Sequence, residues 1–532
     1  MKHFFVISLL IVSSLLASTS FAAFDKTKKE IKIYIRQEPP DLNAMKATDA
    51  VSFQVLGHVM EGLTTFDKRG RLTEGVAEKW DITPTEATFH LRKNAKWSDG
   101  KPVTAKDFVF AWRNVVNPKT ASQYAFIMYT VKNGEAINKG KMPLEKLGVT
   151  AVDDHTLKVE LERPTGYFLG MTSFATFYPA REDIVKKYGD KYASEYNHAV
   201  YNGPFKLTKW VHGASLRMDK NENYWNSANI YLNAIDVPYI VEDQNTLFNL
   251  FKDKKIAYAD GLGPDSIKNS LKEKYRLKNF AEGVVFYHEF NHRKGRPTTN
   301  LNLRKAIAHA FDNRELVNKV IGRPGYKPSD TLFPEFLKGE KESFIKEHPP
   351  VAFKVDTKLA KTYLEKAKKE LGGKIPALVL LCDDAENSAK QAQYFQQQMK
   401  ERLGLEIKID KQIFKQRLAK MTAGDFDLVA AGWGPDYDDI MTFGDLMASW
   451  NENNRGKFKS DEYDSMVRKA QNSADPKVRM EAFAKMQEIL HDEVAIVPHY
   501  ERGLVYIQDS QLRGLQRIVV GPDPFLVHAK IK

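Results

Sequence analysis

Apolar positions along the chain switch between two periods, and the switches outline the fold. The signal is densest between residues 376 and 436. Residues 377–382 form an unbroken apolar run, the mark of a strand covered on both faces. Across 386–403, Phe395, Met399 and Leu403 recur every four residues, which predicts a helix with one apolar face. Residues 405–409 alternate as a strand, 414–421 predict a short helix, and 426–431 a second buried strand. Strand, helix, strand, helix, strand in that order requires parallel strands joined by right-handed crossovers. The expected fold class is therefore α/β.

Cap chemistry fixes the ends of other elements. Residues 88–91 read as a strand and Trp97-Ser98-Asp99-Gly100 as a turn. Thr104 and Asp107 have the spacing of a capping box; Phe108, Trp112 and Val115 then share a helical face, and Asn117-Pro118 stops the helix. Asp475 and Pro476 open a helix running to residue 492. Asp312-x-x-Glu315 separates two more, over 303–311 and 314–321. No repeat of 20–50 residues and no low-complexity linker divides the chain, so its domains are expected to interleave.

The amino terminus carries a different pattern. Lys2 precedes an apolar run over 4–16, and Ser20-Phe21-Ala22 supplies small residues at a cleavage site. Residues 1–22 are expected to be a secretory signal peptide, too short in its apolar part to span a bilayer. No cysteine stands near the cleavage site, so the expected product is free in the periplasm and not lipid-anchored.

Composition then removes whole classes. The chain has 532 residues, enough for three or four folding units, and its 31 Phe, 22 Tyr and 7 Trp exclude a disordered chain. A single cysteine, Cys382, rules out a disulfide framework and Cys-cluster zinc, and its apolar neighbours mark it as a buried, inert thiol. The formal charge of +12 raises the possibility of a nucleic-acid partner. Export argues against one, and so do lysines such as Lys358, Lys361, Lys366, Lys368 and Lys369, which read as a solvated helix face.

Two segments offer chemistry. Gly432-Trp433-Gly434-Pro435-Asp436 follows the last strand of the parallel unit, and ligands bind beyond the carboxyl ends of such strands. An aromatic plate and a carboxylate at that place predict a recognition site. His288-Glu289-Phe290-Asn291-His292 matches HExxH, which on a helix would hold zinc for a peptidase. The β-branched and aromatic residues 284–287 before it predict a strand instead, where the histidines would stand ~13 Å apart, beyond the reach of one metal. Asp436, Asp438 and Asp439 fail as a calcium loop because Ile440 follows and no glycine does. No GxSxG elbow and no GxxxxGK[ST] loop is present.

A family resemblance spans the chain after the signal. Glu61-Gly62-Leu63, Gly75-Val76-Ala77-Glu78-Lys79-Trp80, the run 89–108, Asn117-Pro118-Lys119-Thr120-Ala121-Ser122-Gln123-Tyr124, Tyr201-Asn202-Gly203-Pro204-Phe205, Asn223-Tyr224-Trp225 and Ala495-Ile496-Val497-Pro498 follow one another in family order. In these segments the sequence resembles the extracytoplasmic oligopeptide-binding proteins of ABC importers, solute-binding family 5 of the peptide/nickel type. The resemblance implies a two-lobed "Venus flytrap" with an extra subdomain inserted in the first lobe. Lobe I would comprise 23–60, 180–283 and 500–532, the subdomain 61–179, and lobe II 284–499. It implies a monomer without catalytic activity, cofactor or metal, which binds an extended peptide and delivers it to a membrane permease. Asp436 would take the peptide α-ammonium, beside Gly432 and Trp433; Tyr124, Phe414 and Tyr287 would be aromatic contacts and Glu289 a cleft glutamate. Well-studied family members hold the peptide carboxylate with an arginine and a histidine. Ala430 and Ser388 stand at those places here, so the resemblance assigns that carboxylate to no residue. Other cargo for the same fold (a murein peptide, a dipeptide, a metal chelate or an oligosaccharide) and a secreted HExxH peptidase are the alternatives.

Overall fold

The computed structural model describes residues 22–532, so nearly all of the signal-peptide segment lies outside the described residues. Strand pairing joins parts of the chain that are far apart in sequence. Glu30–Ile35 pairs in parallel with Ala234–Ile240, which continues antiparallel through Ser215–Lys220 to Phe205–Val211. The chain between leaves this sheet and returns to it. That excursion carries its own four-stranded antiparallel sheet, Ala77–Ile82, Glu86–Leu91, Thr156–Glu160 and Val149–Asp153 in spatial order.

The helix Ala105–Val116 packs on this smaller sheet and buries Phe108, Trp112 and Val115 together, as its period requires. Its first turn is held by Asp107, which accepts from the Thr104 N–H at 2.8 Å and from Trp97 Nε1 at 3.2 Å. The cap thus also fastens the preceding turn.

A seven-stranded sheet forms the second lobe and the connection to the first. Its parallel part holds Leu378–Asp383 between Ile407–Gln412 and Leu428–Trp433, with the helices Glu386–Leu403 and Phe414–Ala423 as crossovers. The β-α-β-α-β expectation is met. Boundaries move by two or three residues: the second strand in sequence runs to Gln412, and the last runs through Trp433, so Gly432 and Trp433 end a strand instead of opening a loop. Two neighbouring strands, Lys278–Phe290 and Ile496–Gln508, are 13 residues long each and pair antiparallel along most of their length. The expected lobe boundaries at 283/284 and 499/500 fall inside them. The pairing slips between Ala281 and Val284, around Gly283. Gly283 has φ +69°, and a Cβ there would stand 2.6 Å from the Phe336 ring, so backbone and packing both require glycine.

Period-2 alternation divides this sheet between two apolar cores. Val285, Tyr287, Val429 and Ala431 face the large core that continues into the first lobe. Phe290, Leu380, Cys382 and Leu428 face a separate core under Leu301–Ala310, Thr357–Glu370 and Glu386–Leu403. Burial pushes the Cys382 thiol up to about 12, which keeps it a protonated packing group. The helix Pro476–Asp492 starts as expected, Asp475 accepting from the Lys477 N–H. After Asp312, which caps Glu315 at 2.8 Å, the chain makes one short α-turn and then a wider π-helical segment, Leu316–Ile321. Apolar period alone does not separate these two windings.

Candidate ligand-binding site

A cavity of about 410 Å³ lies where the first sheet, the excursion and the second lobe meet. Gly432, Trp433, Asp436, Tyr124, Phe414, Tyr287 and Glu289 all line it. Each arrives from its own element. Tyr124 comes from the turn after Ala105–Val116, Tyr287 and Glu289 from the long strand Lys278–Phe290, and Phe414 opens a crossover helix.

Asp436 is held from two sides. Its backbone N–H donates to Thr442 Oγ1 at 3.0 Å, and Trp433 Nε1 donates to the Thr442 carbonyl at 2.8 Å, so one residue fixes both plate and carboxylate. Farther along the loop, Asp439 takes two hydrogen bonds from Arg479 on the helix Pro476–Asp492, at 2.5 and 3.0 Å. The Tyr124 hydroxyl donates to Asp436 Oδ1 at 3.0 Å, and the Tyr124 and Trp433 rings stack at 6.2 Å. Burial pushes the Asp436 carboxyl well above the usual range; the Tyr124 hydrogen bond opposes this and the charge of Asp445 adds to it. Among the described residues no cation pairs with it. Asp436 is half-buried in the cavity wall, where a carboxylate without a counterion is costly, and a positively charged guest would offset that cost.

Glu289 has a different setting. It is buried, accepts from the Gly456 N–H, and is pushed up to about 7 by burial against the pull of that bond and of Arg455. Gly456 approaches so closely that a Cβ there would lie 2.1 Å from the Phe290 carbonyl oxygen and 3.0 Å from Glu289 Oε1.

The HExxH match does not gather a metal site. His288 and Glu289 are consecutive on a strand and point to opposite faces. His288 packs among Phe311, Phe395 and His499, with its Nδ1 unpartnered, whereas His292 lies against Phe458. Among the described residues no group of three His, Cys, Asp or Glu is placed to hold a metal.

Ser388 lines the cavity, on the first turn of Glu386–Leu403. Ala430 does not; it packs against the second core. Sequence reasoning missed Thr442, which carries no local signal. It also missed Arg417, another lining residue. Arg417 stands three residues after Phe414 on one helix, and i,i+3 neighbours share a face, so the assignment of Phe414 could have led to it.

Two lobes joined by a pair of continuous strands, with a charged and aromatic cavity enclosed between them, define a ligand-capturing protein of the two-lobed α/β type. Residues 71–455 match the profile of the bacterial extracellular solute-binding proteins, family 5, and the chain belongs to that family. The dipeptide-binding protein DppE of Bacillus subtilis is 33% identical over 504 residues, covering 93% of this chain and 91% of the relative. The OppA of Listeria monocytogenes bound to peptide superposes with a TM-score of 0.89 at 33% identity, over 95% of this chain and 99% of that one. The murein tripeptide-binding protein MppA of Escherichia coli is 28% identical. One of its structures gives a TM-score of 0.87, over 96% of this chain and 99% of the other. Its unliganded open form gives only 0.62 over 96% and 98%. No described helix is long and apolar enough to cross a membrane.

Proposed function

We propose that this protein captures extended peptides in the interlobe cavity by hinge closure, anchors the peptide α-ammonium on Asp436, and passes the cargo to an ABC importer from the periplasm without transforming it. The single observation that carries the reading is the Asp436 carboxylate, flanked by Tyr124 and Trp433 and without a cationic partner among the described residues. An ammonium fills that vacancy with charge-assisted hydrogen bonds, worth about 1.5–3 kcal/mol each. Gly432, Trp433, Tyr124, Phe414 and Tyr287 would frame the main chain, and an extended ligand bound through its backbone admits many side chains. The names of the relatives support a peptide as cargo. The test is calorimetric titration with one peptide carrying a free or an acetylated amino end. The acetylated form should bind at least about 50-fold more weakly; equal affinities would remove Asp436 from the role given to it.

Closure is supported by the lobe arrangement, which resembles the peptide-bound relative and departs from the open one. It is also supported by contacts between the excursion and the second lobe outside the cavity lining. Tyr167 stacks on Tyr437 at 5.2 Å, and Arg468 makes two bonds to Glu135 at 2.8 and 2.9 Å while lying 3.9 Å over the Trp450 ring. The ion pair is partly exposed, so its net contribution is about 0.5–1 kcal/mol. Arg468→Met should therefore shift the lobes toward the open form and weaken peptide binding about 3- to 5-fold, with no contact to cargo removed. Small-angle scattering of the empty variant should show a larger radius of gyration than wild type; an unchanged radius would dismiss the latch.

A further inference from the structure

We propose that the guanidinium of Arg417 binds a carboxylate of the cargo, so that the cavity grips a zwitterion at two poles, Asp436 and Arg417. The inference rests on the reading that a peptide lies in the cavity with its amino end at Asp436. Arg417 Nη1 donates to the carbonyl oxygen of Ala430 at 2.6 Å, and the guanidinium carbon lies 5.3 Å from the Phe414 ring centre. These two contacts fix the plane of the group but occupy one of its five N–H donors. Its Nε is buried and has no partner.

Three of the other cavity arginines are held in ion pairs. Arg36 pairs with Asp260, Arg517 with Asp523 and Arg502 with Glu282. Arg455 shares an unpartnered Nε but is buried and donates to Asn453 Oδ1 at 3.0 Å, whereas Arg417 is only partly buried; Arg323 lies 5.8 Å from the Tyr326 ring. Asp383 and Glu242 act on Arg417 through space, but no carboxylate reaches ion-pair distance of it among the described residues. A partly enclosed, oriented guanidinium with free donors is built for bidentate capture of a carboxylate.

The separation of the poles sets the size of the cargo. Ala430 precedes Trp433 by three residues on one strand, about 10 Å, and Asp436 lies a short loop beyond. An extended peptide of three or four residues spans about 10–14 Å. The carboxylate is then the C-terminus of a short peptide, or an acidic side chain near that end.

Calorimetric titration of the mature protein with trialanine, tetra-alanine, their C-terminal amides and Ala-Glu-Ala amide tests this. Wild type should bind the better free acid about 20-fold more tightly than its amide. Arg417→Gln, which can keep the bond to Ala430, should reduce that ratio to about 2-fold while the penalty for N-acetylation persists, and Arg417→Lys should retain part of it. Restoration of affinity by the glutamate of Ala-Glu-Ala amide, in wild type but not in Arg417→Gln, would assign the side chain as the source. Equal binding of acid and amide by wild type, or full discrimination in a folded Arg417→Gln, would overturn the proposal. Loss of the N-acetyl penalty alone would overturn the amino-end reading and leave the role of Arg417 standing.

Discussion

Asp436→Asn should weaken binding of a peptide with a free amino end by two to three orders of magnitude, about 3–4 kcal/mol, and leave the fold intact. Asparagine keeps the shape, can still accept from the Tyr124 hydroxyl and leaves the Thr442 contact of the backbone untouched. What disappears is the charge. The folded protein already disfavours that charge, since burial raises the Asp436 carboxyl well above its ordinary value. A group raised in this way weighs against folding most at high pH, where it must ionise. The variant should therefore match or exceed wild-type stability at pH 7, as urea unfolding would report. Because cargo needs the ionised form, wild-type affinity should fall as pH drops through the raised value, and the Asp436→Asn affinity should show much less of that dependence. A variant that unfolds readily would make Asp436 a packing residue, and one that binds normally would end its role as anchor.

The second large effect concerns His288, on the strand that also carries Tyr287 and Glu289. Burial among Phe311, Phe395 and His499 pushes its imidazole down to about 3. An unfolded histidine titrates near 6.5. Between those values the unfolded chain binds the proton and the folded one does not, so the stability contributed by neutral His288 is complete above about 6.5 and is lost as pH falls toward 3. Between pH 7 and 4.5 that loss amounts to roughly 2–3 kcal/mol. His288→Leu removes the titration and the unpartnered Nδ1 at once. The variant should gain roughly 2–3 kcal/mol on wild type over this interval, measured as the difference between two urea series at each pH. The difference is the informative quantity. Glu61 and Glu289, both pushed to about 7 by burial, and Asp445, pushed to about 8, take up protons in the folded state and work in the opposite direction. A pH-independent difference would mean that His288 is not held neutral by its surroundings.

Much of the site was legible as residue types at particular spacings. The parallel unit announces itself by apolar runs and one four-residue period, and its last strand delivers Gly432, Trp433 and Asp436 to the carboxyl end, where ligands bind. The strand reading of residues 284–287 also disposed of the HExxH match, because histidines four apart on a strand stand too far from each other for one metal. Two features escaped. The end of the strand at Trp433 depends on its pairing with Val285 across the sheet, which local propensity does not encode. Arg417 looks like any solvated helix arginine until the carbonyl of Ala430 is seen to hold it at the cavity wall.

The parallel β-α-β-α-β unit, the capped helices and the family can be read from the chain alone, since caps, apolar period and short motifs act over a few residues. Tertiary structure alone decided which charges are paired and which are left for a guest. Tyr124 reaches Asp436 across 312 residues of chain, and Arg36 and Arg517 find Asp260 and Asp523, while among the described residues no acid comes within ion-pair distance of Arg417. Those outcomes follow from how the lobes close around a low-dielectric space. Burial there sets the cost of each charge, and the register of distant strands sets its neighbours.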